Sequence, residues 1–118
     1  MSPLSEADQR MLLGLARQAL EACVRSGPLP EVAVPSGTLT EKGGAFVTLH
    51  KGSRLRGCIG YIEAVKPLNQ TVMECAQAAA LRDPRFDPVR PEELPFISLE
   101  ISVLSPMEDL APEKVEVG

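Results

Sequence analysis

The chain has 118 residues, a length that fits one domain with its own hydrophobic core. Its net charge of −4, with three Phe, one Tyr and no Trp, argues against nucleic-acid binding, which needs a cationic surface and stacking platforms. No apolar run approaches the roughly 20 residues that span a bilayer, and no basic and then apolar leader begins the chain, so we expect a cytoplasmic protein without membrane contact.

The cysteines point to reduced thiols. Cys23, Cys58 and Cys75 form no C-x-x-C pair, and any disulfide would leave one of them unpaired. Because His50 is the single histidine, the usual Cys/His ligand sets for zinc cannot be assembled, and we expect no metal and no cofactor. Cys23 and Cys75 lie on apolar helical stripes, where a thiol acts as a small hydrophobic group.

The first predicted element is a helix over about residues 5–25. Ser5 and Asp8 have the spacing of a capping box, and apolar residues then recur at helical intervals. A loop rich in proline and glycine follows through Gly44, with a short extended piece at Val32–Val34.

Three strands and a second helix are predicted next. Ala45–His50 and Leu55–Glu63 form a hairpin with a three- to four-residue connection, and the strand Phe96–Leu104 alternates apolar and polar residues. The second helix starts with Pro67 at its first position and ends before Asp83. Since a tight hairpin is antiparallel, the fold class is α+β, with a mixed or antiparallel sheet and helices packed on it.

The segment Leu55–Gly60 is the candidate site, because glycines are costly inside strands unless something approaches the backbone. Gly57 and Gly60 would let a substrate come close. Strand alternation places Arg56 and Cys58 on one face. The opposite, core-facing side would carry Leu55, Ile59 and Tyr61.

The position of His50 depends on the hairpin connection. A three-residue connection pairs His50 with Arg54 and sets Phe46 opposite Cys58, whereas a four-residue connection turns His50 to the other face. If the three side chains converge, Arg56 would favour the thiolate of Cys58 and His50 could serve as its base. In the alternative, Cys58 fills a small slot and Arg56 pairs with a surface carboxylate.

Two further features carry polar groups. The segment Asp83–Phe86 is either a turn capped by its own carboxylates or a rigid, proline-flanked platform that presents Asp83 and Arg85 to a ligand or partner. Glu100 stands alone among serines on a strand face, as a solvated or ion-paired residue or as a carboxylate beside the Cys58 strand.

Three segments together resemble the AMMECR domain family, over Gly44 to about Leu110. They read GAFVTLHKGSRLRGCIGYIEAVKPL, AQAAALRDPRFDPVRPEEL and ISLEISVLSPMEDL, in this order. The resemblance implies a mixed α/β fold with a larger and a smaller subdomain, and a functional surface at Leu55–Gly60 together with Asp83, Arg85 and Phe86. It also implies that residues 1–118 are a single AMMECR-like domain without the family's C-terminal portion, which would leave a shortened fold.

The resemblance leaves the activity undefined, so two hypotheses stand. In the first, Cys58 is the nucleophile or covalent carrier of an enzyme acting on a small or protein substrate, Arg56 stabilises the thiolate, and His50, Asp83 or Glu100 is the acid or base. In the second, the chain is a non-catalytic adaptor, anchored by Arg56, Arg85 and Phe86. Prokaryotic relatives imply a Memo-type protein and a radical S-adenosylmethionine enzyme as partners.

Overall fold

A computed structural model describes residues 5–27, 38–62, 66–104, 107–111 and 114–117, with the backbone alone for Thr38 and beyond Leu104. Two α-helices and five strands make up the fold, together with 3-10 helices at Thr38–Thr40 and Pro91–Phe96. The helices are α1 (Glu6–Val24) and α2 (Leu68–Leu81). The strands are β1 (Ala45–Lys51), β2 (Arg54–Tyr61), β3 (Ile97–Leu104), β4 (Met107–Ala111) and β5 (Lys114–Val117).

The first helix forms where the sequence predicts it. The backbone N–H of Asp8 donates to the Ser5 hydroxyl oxygen at 3.0 Å, and the N–H of Ser5 donates to the Asp8 carboxylate at 3.3 Å, which completes the capping box. At the other end Ser26 has a φ of 58°, a left-handed conformation that turns the chain away from the helix. The expected extended piece at Val32–Val34 lies outside the described residues.

The strands form a single antiparallel sheet in the order β2-β1-β3-β4-β5. The α+β class is therefore confirmed, and of the two predicted sheet types the antiparallel one is present. The structure adds β4 and β5, which the pattern did not predict. Pro67 is the N-cap of α2 and not its first helical residue.

The hairpin differs from its predicted form. Lys51 pairs with Arg54, so Gly52 and Ser53 make a two-residue turn instead of a three- to four-residue connection. Gly52 has a φ of 63°, which a primed turn requires at its first central position and glycine adopts without strain. The register then shifts: Leu49 pairs with Gly57 although His50 pairs with Leu55. Arg56 is thus an extra residue, the mark of a β-bulge.

The two faces of the sheet differ in what covers them. Both helices pack on the face that carries the buried side chains of β1 and β3 and the partly buried Ile59 and Tyr61 of β2. The bulge turns Leu55 off this face, leaving it 41% exposed, so its predicted core position is wrong. None of the described helices is both long and apolar enough to cross a membrane.

We call the other side of the sheet the open face. Its side chains are partly exposed and alternate with the buried ones along β1 and β3. It carries Phe46, Thr48, His50, Cys58, Gly60, Ser98, Glu100 and Ser102.

Candidate functional site

Cys58 lies on the open face, in a row of polar side chains that crosses three strands. Thr48 of β1 is directly opposite Cys58, and its hydroxyl oxygen is 3.2 Å from the Cys58 sulfur. Glu100 of β3 is directly opposite Thr48 on its other side. His50 is two residues further along β1 on the same face, and its Nδ1 is 3.6 Å from Oε1 of Glu100.

This arrangement answers the question that the hairpin left open. Neither predicted connection is present, and Thr48, not Phe46, is the residue opposite Cys58. His50 pairs with Leu55, not with Arg54. The two-residue turn and the bulge together put His50 on the same face as the thiol, because β1 continues its alternation unbroken from Thr48 to His50.

Asp83 joins the second predicted segment to the thiol strand. Cys58 lies on an edge strand, and its backbone N–H donates to Oδ2 of Asp83 at 3.0 Å. The same buried carboxylate accepts hydrogen bonds from the backbone, Nε and Nη2 of Arg85, at 3.1, 3.0 and 2.7 Å. These bonds, those from the Arg85 side chain first, hold the pKa of Asp83 well below its usual range. Both carboxylate oxygens are thus committed to the edge of β2 and to Arg85.

Each of the two arginines of the predicted site pairs with a carboxylate. The Nε and Nη2 of Arg56 donate to the two carboxylate oxygens of Glu93 at 3.0 and 3.1 Å, and Nη2 also reaches the carbonyl of Pro88 at 3.3 Å. Arg56 is therefore bound to a carboxylate, as the second sequence alternative proposed. The pKa of Arg85 is raised, mainly by its hydrogen bonds with Asp83. Arg85 is joined to the thiol strand through Asp83, which binds both its guanidinium group and the backbone N–H of Cys58.

Glu93, which the sequence did not single out, binds Arg56. Its hydrogen bonds with Arg56 are the main reason that its pKa falls to about 2. Lys51 also contacts it, with Nζ 3.2 Å from Oε1. Glu93 belongs to the 3-10 helix Pro91–Phe96, and only the three-dimensional fold brings it to β2.

The two glycines of the candidate segment are approached by the chain itself. A Cβ on Gly57 would overlap the carbonyl oxygen of Ala79, because α2 packs directly on this point of β2. A Cβ on Gly60 would overlap the ring of Phe46, which lies over it from β1. Internal packing therefore accounts for both glycines.

A cleft with a volume of about 440 Å³ lies beside the edge of β2, lined by Arg56, Pro84, Arg85, Phe86 and Asp87. The guanidinium carbon of Arg85 is 5.4 Å from the centre of the Phe86 ring. Arg85 and Phe86 of the second predicted segment thus meet Arg56 of the first in one depression.

The other thiols differ from Cys58 in burial. Cys75 is in the core, its thiol donates to the carbonyl of Ala45 at 3.7 Å, and burial raises its pKa to about 11. Burial also raises the pKa of the half-buried Cys23. Among the described residues, no cluster of three or more His, Cys, Asp and Glu side chains could hold a metal ion.

Known proteins resemble this chain over most of its length. The AMMECR1 family model matches residues 13–118. A protein from Methanothermobacter thermautotrophicus is 45% identical over an alignment of 119 positions that covers 95% of this chain and 59% of the relative. Protein MK0488 from Methanopyrus kandleri is 42% identical over an alignment of 125 positions that covers 98% of this chain and 60% of the relative. The chain therefore spans about three-fifths of the length of these relatives.

A solved structure has the same fold. The crystal structure of the uncharacterized protein PH0010 from Pyrococcus horikoshii superposes with a TM-score of 0.78 and 35% sequence identity. The match covers 85% of this chain and 52% of the Pyrococcus protein.

Proposed function

The chain belongs to the AMMECR1 family, and we propose that its open face is a reaction site in which Cys58 is the nucleophile, His50 its base and Glu100 the residue that orients His50. The chemistry is covalent capture of an electrophilic carbonyl or acyl carbon by the thiol. The substrate would lie on the open face, above the row of side chains that crosses β2, β1 and β3.

One observation carries this proposal: a thiol, an imidazole and a carboxylate occupy the same face of three adjacent strands. Glu100 lies 3.6 Å from Nδ1 of His50, which leaves Nε2 free to exchange a proton with a reacting group. His50 is two residues along β1 from Thr48, the residue opposite Cys58, so its imidazole and the thiol lie on the same face of the hairpin, where a bound substrate could contact both.

The step can be written with its atoms in balance. The S–H bond of Cys58 breaks and its proton goes to Nε2 of His50. The sulfur then bonds to the carbonyl carbon, and the electron pair of the C=O bond moves to the oxygen, which takes the proton back from the imidazolium. The product is an addition compound on sulfur. With an acyl substrate the O–H proton then passes through Nε2 of His50 to the leaving group, which departs with the electron pair of its bond to carbon as the C=O bond re-forms, and a thioester remains on Cys58.

Two neighbours would support the thiolate. The Thr48 hydroxyl is 3.2 Å from the sulfur and would donate its hydrogen bond to the anion, and charge-assisted hydrogen bonds are stronger than neutral ones. Arg85 is linked to the thiol strand through Asp83, which accepts hydrogen bonds from its guanidinium group and from the backbone N–H of Cys58. In this proposal Arg85, and not Arg56, is the cation beside the thiol strand.

The proposal is tested by limited alkylation with iodoacetamide at pH 7, with the modified cysteine identified by mass spectrometry. We expect Cys58 to react at least about tenfold faster than glutathione, because a general base typically contributes a factor of about 10² or more. The buried Cys75 should react last. A Cys58→Ser variant should lose the fast phase. If Cys58 reacts no faster than glutathione, or if the fast phase persists in Cys58→Ser, the proposal is wrong.

The second candidate is a docking module. The cleft favours a docking role, because Phe86 and Arg85 both line it at the surface and the Arg85 side chain is 56% exposed. Aromatic residues and arginines often anchor interfaces. The partners suggested by the family resemblance are a Memo-type protein and a radical S-adenosylmethionine enzyme. In this case Arg85→Ala would abolish binding and Cys58→Ser would retain both binding and function. A Cys58→Ser variant that binds its partner and yet has lost a function that Arg85→Ala retains would contradict docking as the function.

A further inference from the structure

The cleft beside β2 is lined by two arginines, and a carboxylate binds only one side of each guanidinium group. Glu93 accepts hydrogen bonds from Nε and Nη2 of Arg56 at 3.0 and 3.1 Å. Asp83 accepts hydrogen bonds from Nε and Nη2 of Arg85 at 3.0 and 2.7 Å. Each guanidinium group is therefore held in a bidentate ion pair with a carboxylate. Because the group is planar, this pair also fixes the direction of the remaining Nη1 amino group.

The remaining edges are free to bind a ligand. Among the residues that the structure describes, neither Nη1 amino group has a hydrogen-bond partner, and both arginines line the same cleft. The Arg56 side chain is only 14% exposed and its charge is balanced by the equally shielded Glu93, so Arg56 offers the cleft an N–H donor and not a free positive charge. Both arginines line the cleft, and guanidinium N–H groups bind carboxylates through charge-assisted hydrogen bonds.

The other lining residues restrict the class of ligand. Asp87 is exposed and has no described partner, so its negative charge repels a dianion such as phosphate more strongly than a monoanion. The ring of Phe86 offers an apolar surface beside the guanidinium of Arg85. The preferred ligand is thus singly charged, with an apolar or aromatic stem.

We propose that the cleft formed by Arg56, Arg85 and Phe86 is a binding site for a small monocarboxylate. The site lies beyond the reaction proposed at the open face, and its existence does not depend on that reaction. Asp83 connects the two, because it binds Arg85 on one side and the backbone N–H of Cys58 on the other. A ligand in the cleft would therefore be held within the same hydrogen-bonded network as the thiol strand.

A titration of the protein with benzoate tests the proposal, followed by the 1H–15N NMR signals of the arginine Nε–H groups. We expect saturable shifts of the Arg56 and Arg85 signals, with a dissociation constant of about 1 mM, typical of a small fragment. Arg85→Gln should weaken binding at least about tenfold. The matched control is Arg54→Gln, which removes the same charge from an exposed hairpin residue outside the cleft and should change the affinity less than about twofold.

A variant at an exposed position separates loss of binding from loss of folding. Asp87→Asn alters an exposed side chain with no described contact, and removing its repulsion should tighten benzoate binding about two- to fivefold. The proposal is overturned if the shifts do not saturate, if Asp87→Asn leaves the affinity unchanged or lower, or if Arg54→Gln weakens binding as much as Arg85→Gln. Tighter binding of inorganic phosphate than of benzoate at equal ionic strength would also overturn it.

Discussion

Substitution of Gly57 by alanine tests how closely α2 packs on the thiol strand. The new Cβ would overlap the carbonyl oxygen of Ala79 and come within 3.1 Å of its carbonyl carbon. These are backbone atoms in the last turn of α2, at a buried residue, so they cannot move aside as a side chain could. Relief requires α2 to shift as a body, which would disturb its packing on β1 and β2.

The cost follows from this geometry. Overpacking a well-packed core costs about 1–3 kcal/mol, and contact with a helix backbone places Gly57→Ala at the upper end, about 3 kcal/mol. That is a large part of the roughly 5–15 kcal/mol that stabilises a typical domain. Gly60→Ala should cost less, about 1–2 kcal/mol, because the overlapping group is the Phe46 ring, which can rotate.

Urea unfolding followed by circular dichroism measures these differences. With a slope of about 1–3 kcal/mol per molar urea, Gly57→Ala should lower the midpoint by about 1–3 M. The matched control is Gly14→Ala in α1, where the Cβ meets nothing within 4 Å and alanine should stabilise by about 0.5–1 kcal/mol. A free energy of unfolding for Gly57→Ala within about 0.5 kcal/mol of the original protein, or a larger loss in Gly60→Ala than in Gly57→Ala, would contradict this close packing of α2 on β2.

Three further outcomes are expected. The pKa of Glu93 is about 2 in the folded protein against 4.5 ordinarily, so its contribution to stability is complete above about pH 4.5 and disappears as the pH falls towards 2, and Asp83 contributes in the same direction. Urea midpoints measured against pH should therefore fall less on acidification in Glu93→Gln than in the original protein. Cys75 should resist a colorimetric disulfide reagent at pH 8 in the native protein and react in urea, because it is buried and its pKa is about 11; fast native reaction would contradict the described core. Thr48→Val should slow alkylation of Cys58 about tenfold while Thr48→Ser retains the rate, because serine keeps the hydroxyl. Equal rates in both variants would show that the hydroxyl does not support the thiolate.

The parts of the fold that follow local periodicity could be predicted from the sequence. The capping residues and helical spacing located α1, and the apolar-polar alternation from Ile97 to Leu104 located β3 and put Glu100 on the less buried face. The turn built from Asp83 also follows from its residues, since its carboxylate accepts the Arg85 N–H two residues on.

The hairpin register could not be predicted, because one bulge changes the faces of all residues on one side of it. Alternation assigned Leu55 to the core and Arg56 to the face of Cys58, and the extra residue at Arg56 overturned both assignments. The arginine pairings were also beyond the sequence. Glu93 is 37 residues from Arg56, and Asp83 is 25 residues from the Cys58 amide that it binds. Only tertiary packing brings such groups together.

The proposed role of His50 can be measured directly, as the rate of Cys58 alkylation by iodoacetamide at pH 7 in the original protein and in His50→Gln. The matched control is Ser102→Ala, which changes another polar residue of the open face, across the sheet from Phe46. A thiol that depends on its base should react at least about tenfold more slowly in His50→Gln and at the original rate in Ser102→Ala. Equal rates in the original protein and in His50→Gln would contradict the account of the open face as a cysteine reaction site served by His50.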